Sequence, residues 1–148
     1  MKKNFLTAAF IAGFLSLSVF SAKADVTQKV LQSFHSVFSQ ASNIKWVEYP
    51  DHYYVSFAQN DILIRASYDM SGNMMSSIRY YKEQHLPLNI LCAVKKAYAS
   101  KMIDIVTEVS NQDGIVYFIQ LNDDKGWTIL KSDETANFEV ADKFKKAL

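Results

Sequence analysis

The chain has 148 residues, 49% of them hydrophobic and 14% aromatic, with 16 Lys and Arg against 15 Asp and Glu. So even a charge balance offers no polybasic surface to nucleic acid or anionic lipid, while ten Phe, eight Tyr and two Trp can supply a large buried area. One cysteine, Cys92, leaves no intramolecular disulfide, so burial alone must hold the fold.

In chain order, Lys2 and Lys3 form a basic start, Phe5 to Phe20 is an apolar run, and Ala22 and Ala24 are spaced as A-x-A. These parts predict a cleavable secretory signal peptide over residues 1–24, cut before Asp25. Thr7, Gly13, Ser16 and Ser18 dilute the run below the roughly 20 apolar residues that a membrane span needs. Asp25 in place of Cys after the cut gives no lipid anchor. The expected product is a single domain over 25–148, periplasmic or secreted, with no membrane contact after cleavage and a net charge near −1.

Val26, Val30, Phe34, Val37, Phe38 and Ala41 recur at helical spacing, with Asp25 or Thr27 as a cap. After Asn43 the period becomes two. Ile44 and Trp46 mark a first strand, Tyr53, Val55 and Phe57 a second, and Tyr49-Pro50-Asp51 the turn between them. A third strand runs over Ile62, Ile64, Ala66 and Tyr68 into the turn Asp69-Met70-Ser71-Gly72-Asn73, and a fourth covers about Met74 to Lys82.

The order then starts again. Leu86-Pro87 opens a helix with Pro in its first turn, and Ile90, Leu91, Val94, Ala97 and Tyr98 form its stripe. Strands follow at about Met102–Ser110, Ile115–Leu121, Trp127–Ser132 and Asn137–Ala141, with Asp113-Gly114 as a hairpin signal. Ile44 over Ile103, Tyr53 over Tyr117 and Asp69 over Asp133 give offsets of 59, 64 and 64 residues. That spacing predicts a duplicated unit, about 26–85 and about 86–146. The fold class is α+β: tandem helix plus four-stranded antiparallel meander repeats forming one curved sheet, with helices on one face and the other face open.

Asn43-Ile44-Lys45-Trp46, Tyr53-Tyr54-Val55-Ser56-Phe57, Ala66-Ser67-Tyr68-Asp69-x-x-Gly72 and Leu86-Pro87 before a helix ending in Tyr98 come in a distinctive order. In them the chain resembles the PepSY-like, beta-lactamase-inhibitor-like proteins exported by Bacteroidetes-type bacteria, over roughly residues 26–141. The resemblance implies a tandem α-β4 arrangement with a curved sheet and a role in binding. Inhibition of a beta-lactamase or a protease would be its most concrete form. The second half departs from the pattern at Asp133-Glu134-Thr135-Ala136, which carries no Gly to match Gly72.

Catalytic and metal chemistry find no foothold. His35, His52 and His85 have no ligand partner at helical spacing, so no metal is expected. No G-x-S-x-G elbow presents a nucleophile, which argues against an enzyme, and no cofactor motif occurs. Asp69-x-Ser71-Gly72-Asn73 lacks the spaced carboxylates of a calcium loop and reads as a β-turn. Cys92 falls off the apolar stripe of its helix, which makes it accessible. The bland alternative, and the preferred one, is a partly buried, inert thiol.

With Ile44, Trp46, Tyr53, Val55, Phe57, Ile62, Ile64, Ala66 and Tyr68 turned to the helices, alternation sends Lys45, Tyr49, Tyr54, Ser56, Leu63, Arg65, Ser67, Arg79 and Tyr81 to the open face. Phe118 and Trp127 extend the set. Tyr and Arg combine large rigid area with hydrogen-bonding tips, as binding hot spots do. The binding residues expected are therefore Lys45, Tyr49, Tyr54, Arg65, Arg79, Tyr81, Phe118 and Trp127, with a protein or peptide as partner. A small ligand of an envelope or stress protein is the alternative occupant, and a merely solvated sheet face has equal standing with either.

Overall fold

The computed structural model describes residues 24–146. The predicted signal peptide thus lies outside the described residues except for Ala24. Helix α1 (Gln28–Val37) is followed by strands β1 (Ser42–Glu48), β2 (His52–Gln59), β3 (Ile62–Asp69) and β4 (Met74–Tyr81). After a short 3-10 turn at Glu83–His85 come α2 (Leu88–Ala97), β5 (Met102–Asn111), β6 (Gly114–Asn122), β7 (Gly126–Ser132) and β8 (Phe138–Lys145). All eight strands form one antiparallel sheet in the order of the chain, with β1 and β8 at its edges. An open sheet of this width takes its curvature from strand twist and from the bulges between Ser42 and Lys45, Ser67 and Tyr68, Ile103 and Ile105, and Ile129 and Leu130.

The core follows the period-two pattern. Tyr53, Val55 and Phe57 of β2 and Ile64, Ala66 and Tyr68 of β3 are almost wholly buried, as are Val106, Ile119, Leu121 and Leu130 in the second half. Val30 and Phe34 of α1 and Ile90 and Val94 of α2 belong to the same apolar cluster. Phe34 anchors α1: its ring lies 4.9 Å from Phe57, 5.3 Å from Trp46 and 6.4 Å from Tyr68, all edge-on, the geometry that ring quadrupoles prefer.

The first apolar stripe is longer than its helix. The helix stops at Val37, yet Phe38 continues the packing with its ring 4.6 Å from that of Phe57. Pro87 sits one position outside α2, not in its first turn, and its carbonyl accepts the Leu91 N–H at 2.9 Å.

The largest departure concerns the last turn and strand, where β8 reaches Lys145 rather than ending at Ala141. The turn before it closes without glycine, because Ala136 adopts φ 66°, the role that Gly72 plays at φ 87°. Asparagine and aspartate chemistry makes this possible. The Asp69 carboxylate accepts the N–H groups of Ser71 and Asn73 and the Asn73 amide, and Asp133 accepts the corresponding groups of Thr135 and Asn137.

Hydrogen bonds to Asn73 hold Asp69 below the usual carboxylate range, and those to Asn137 and Thr135 bring Asp133 down to about 2. A depressed folded-state value contributes stability above the unfolded value near 3.9, and that contribution is lost as pH falls through the folded value. Thermal melts should therefore show the midpoint falling between about pH 4 and pH 2. In the double variant Asp69→Asn, Asp133→Asn that decline should be shallower; an unchanged slope would exclude these turns as its source.

Candidate functional site

The residues opposite the core are ordered by register. Lys45, Ser56, Arg65, Ile78, Val109 and Val116 are successive cross-strand partners from β1 to β6. A second row runs Leu63, Tyr80, Thr107, Phe118, Lys131 and Glu139, and a third joins Asn122, Trp127 and Phe144. Direct partners in an antiparallel pair share a face, so these rows form one surface. At its middle lie Ile78, Tyr80, Val109, Val116 and Phe118, all half-buried; Lys45, Arg65 and Lys131 stand exposed around them. Leu63 is 42% exposed and Phe144 49%, so apolar area here meets water.

Of the expected binding residues, Lys45, Tyr54, Arg65, Phe118 and Trp127 lie on this surface. Tyr54 pairs with Val47 and Ser67. The Arg65 guanidinium sits 5.4 Å from the centre of the Tyr80 ring, and the Lys146 ammonium 5.2 Å from that of Trp127, both as cation–π pairs. Tyr49 lies just past the end of β1, where its ring stacks on His52 at 4.6 Å and 6°. His52 in turn bonds Asp51 at 2.7 Å.

Arg79 and Tyr81 are on the other face. Arg79 pairs with core residue Ile64 across β3 and with Glu108 across β5, while Tyr81 is 1% exposed and pairs with Val106. The positions they were expected to fill belong to Ile78 and Tyr80. The cause is β4 itself: Ser76-Ser77-Ile78-Arg79-Tyr80-Tyr81 has polar and aromatic groups on both faces, so its composition does not fix its register.

Glu108, unforeseen from the sequence, explains how Arg79 can face inward. Its carboxylate is nearly buried, accepts two hydrogen bonds from Arg79 at 2.9 and 3.2 Å, and accepts the Tyr81 hydroxyl at 2.6 Å. Burial, then the Glu108 carboxylate, push the Tyr81 phenol well above its usual range. Burial and the same carboxylate raise Tyr117 as well. These partners tie β4 to β5, the seam between the two halves of the sheet.

Cys92 is exposed, as its place off the helical stripe predicts and contrary to the partly buried state preferred for it. Among the described residues, no group of three or more His, Cys, Asp or Glu side chains converges as metal ligands would. Nor is any described helix long and apolar enough to cross a membrane.

No family model matches the chain, and no curated protein matches it in sequence. Solved structures do share its fold. A BLIP-like protein from Bacteroides fragilis superposes with a TM-score of 0.61 at 14% identity, covering 85% of this chain and 92% of that one. A DUF2874 family protein from Bacteroides ovatus gives 0.57 at 16% identity over 82% and 89% of the two chains. A candidate periplasmic protein from Bacteroides eggerthii gives 0.57 at 13% identity over 82% and 90%. The expected α+β class with one curved antiparallel sheet is thus shared with a BLIP-like protein, while the PepSY-like part of the resemblance rests on sequence motifs alone.

Proposed function

We propose, from a fold shared with BLIP-like proteins of Bacteroides, that this chain is an exported, non-catalytic binding protein whose open sheet face engages a protein or peptide. One observation carries the reading: register gathers Leu63, Tyr80, Phe118 and three half-buried aliphatic chains, with Thr107 between Tyr80 and Phe118, into one largely apolar patch rimmed by Lys45, Arg65 and Lys131. A contiguous apolar area within a polar rim is what a docking surface needs and what a merely solvated sheet face avoids. Inhibition of an enzyme by occlusion is the most specific form of this role. The two rounds of helix and four strands are read as a duplicated unit, supported by the matching Asp69 and Asp133 turns at an offset of 64 residues. Duplication widens the sheet and with it the surface.

Affinity capture from envelope and secreted fractions tests this. Protein produced from the full chain should recover a partner that the double variant Tyr54→Ala, Arg65→Ala loses or binds at least tenfold more weakly, the melting midpoint being unchanged. Equal recovery by both proteins would move binding off this face. No protein partner with either would favour a small ligand, for which a ligand-induced rise in melting temperature is the signature.

A further inference from the structure

We propose that the outer edge of β8 accepts an acidic, extended segment of a protein partner as a ninth strand. This edge borders the proposed binding face at Phe144, but its lysines lie on the other side of the strand, so either assignment can fail alone. β8 pairs with β7 only and ends the sheet. Near its C-terminal end, the Phe144 carbonyl lies against Gly126 and the Lys146 N–H bonds the Lys125 carbonyl. Backbone groups alternate in direction along a strand, so those of Lys143 and Lys145 point away from the sheet. The Lys143 N–H is covered by the Asp142 carboxylate of its own chain at 2.7 Å, a contact that an incoming carbonyl would replace.

Charge selects the occupant. Lys143 and Lys145 register with Thr128 and Gly126, which puts both lysines on the face opposite Phe144. Together with Lys125 and Tyr98 they line a groove of about 290 Å³. Lys101 in the same groove is neutralised by Asp123, which this pairing brings down to about 2. Among the described residues, Lys125, Lys143 and Lys145 have no ion-pair partner.

Edge lysines deter a neutral or basic strand, and a second copy centred on these positions would set lysine against lysine. An acidic strand meets no lysine repulsion, and with its carboxylates on the lysine side it keeps them off Asp142, which shares the face of Phe144. Its carboxylates would face the groove, and its apolar side chains would lie beside Phe144. Main-chain hydrogen bonds would supply the affinity common to strand addition, and the lysines its selectivity.

The probe is a ten-residue peptide alternating Glu and Val, its fluorescence anisotropy titrated against protein produced from the full chain. A second peptide carries the same charges but is N-methylated at alternate residues, so it cannot pair with an edge. Binding of the first should weaken at least tenfold on N-methylation and at least tenfold in Lys143→Glu, Lys145→Glu, and should be unchanged in Arg65→Ala. Equal binding of the two peptides to the unsubstituted protein would reduce the site to bulk charge attraction and overturn strand addition. No binding, or loss in Arg65→Ala equal to that in the lysine variant, would overturn it too.

Discussion

Phe34→Ala should lower the unfolding free energy by about 3–5 kcal/mol, the range for removing a large aromatic ring from a closed core. The reason lies in what Phe34 joins. It is 0% exposed, and its ring meets those of Phe38, Trp46, Phe57 and Tyr68, so one side chain fastens α1 to three strands. None of these neighbours can refill the space without giving up its own ring packing, and the cavity term should add to the lost transfer energy. Urea unfolding would show a lower midpoint at an unchanged slope. Phe34→Leu should recover a good part of the loss, as a smaller cavity would remain.

Arg79→Met carries the second large effect, about 3 kcal/mol at pH 7. Removing the guanidinium strands the Glu108 carboxylate, 6% exposed, with the Tyr81 hydroxyl as its remaining side-chain hydrogen bond among those described. An unpaired buried charge is costly, and the partial exposure of Arg79 places the value at the lower end of the range for buried pairs. Arg79→Met, Glu108→Gln should be more stable at pH 7 than the single variant. A single variant as stable as the unsubstituted protein would show that the β4–β5 seam does not depend on this pair.

The same two regions mark what the sequence does and does not express. Phe34 lies on a stripe spaced three and four residues apart, and Tyr53, Val55 and Phe57 alternate strictly. The α1 face and the first two core strands are therefore legible locally, since one side of each element is uniformly apolar. β4 is not. Its inward members include Ser77 and Arg79, and what makes Arg79 tolerable inside is Glu108, 29 residues further on. No window of local sequence contains both halves of that pair, so alternation alone assigns Arg79 and Tyr81 to the wrong face.

The pattern predicts β8 only as far as Ala141 for a related reason. Beyond Ala141 the residues Asp142, Lys143 and Lys145 carry no apolar alternation, and pairing with β7 is enforced by backbone hydrogen bonds and a turn in which Ala136 stands where the first half has Gly72. Of the open face, Lys45, Tyr54, Arg65, Phe118 and Trp127 could be found by alternation alone. Ile78, Tyr80 and Phe144 could not, because placing each requires the register of a strand with no clear apolar side.

The central claim is that the sheet surface carrying Leu63, Tyr80 and Phe118, rather than the exposed side of α2, meets a partner. Site-specific photo-crosslinking in the producing cell tests it most directly, with a benzoyl-phenylalanine placed in turn at Tyr54, Leu63, Phe118 and, as the control on the exposed side of α2, Lys96. The prediction is one shared crosslinked band from the first three positions and none from Lys96. Crosslinking from Lys96 with none from Tyr54, Leu63 or Phe118 would contradict it.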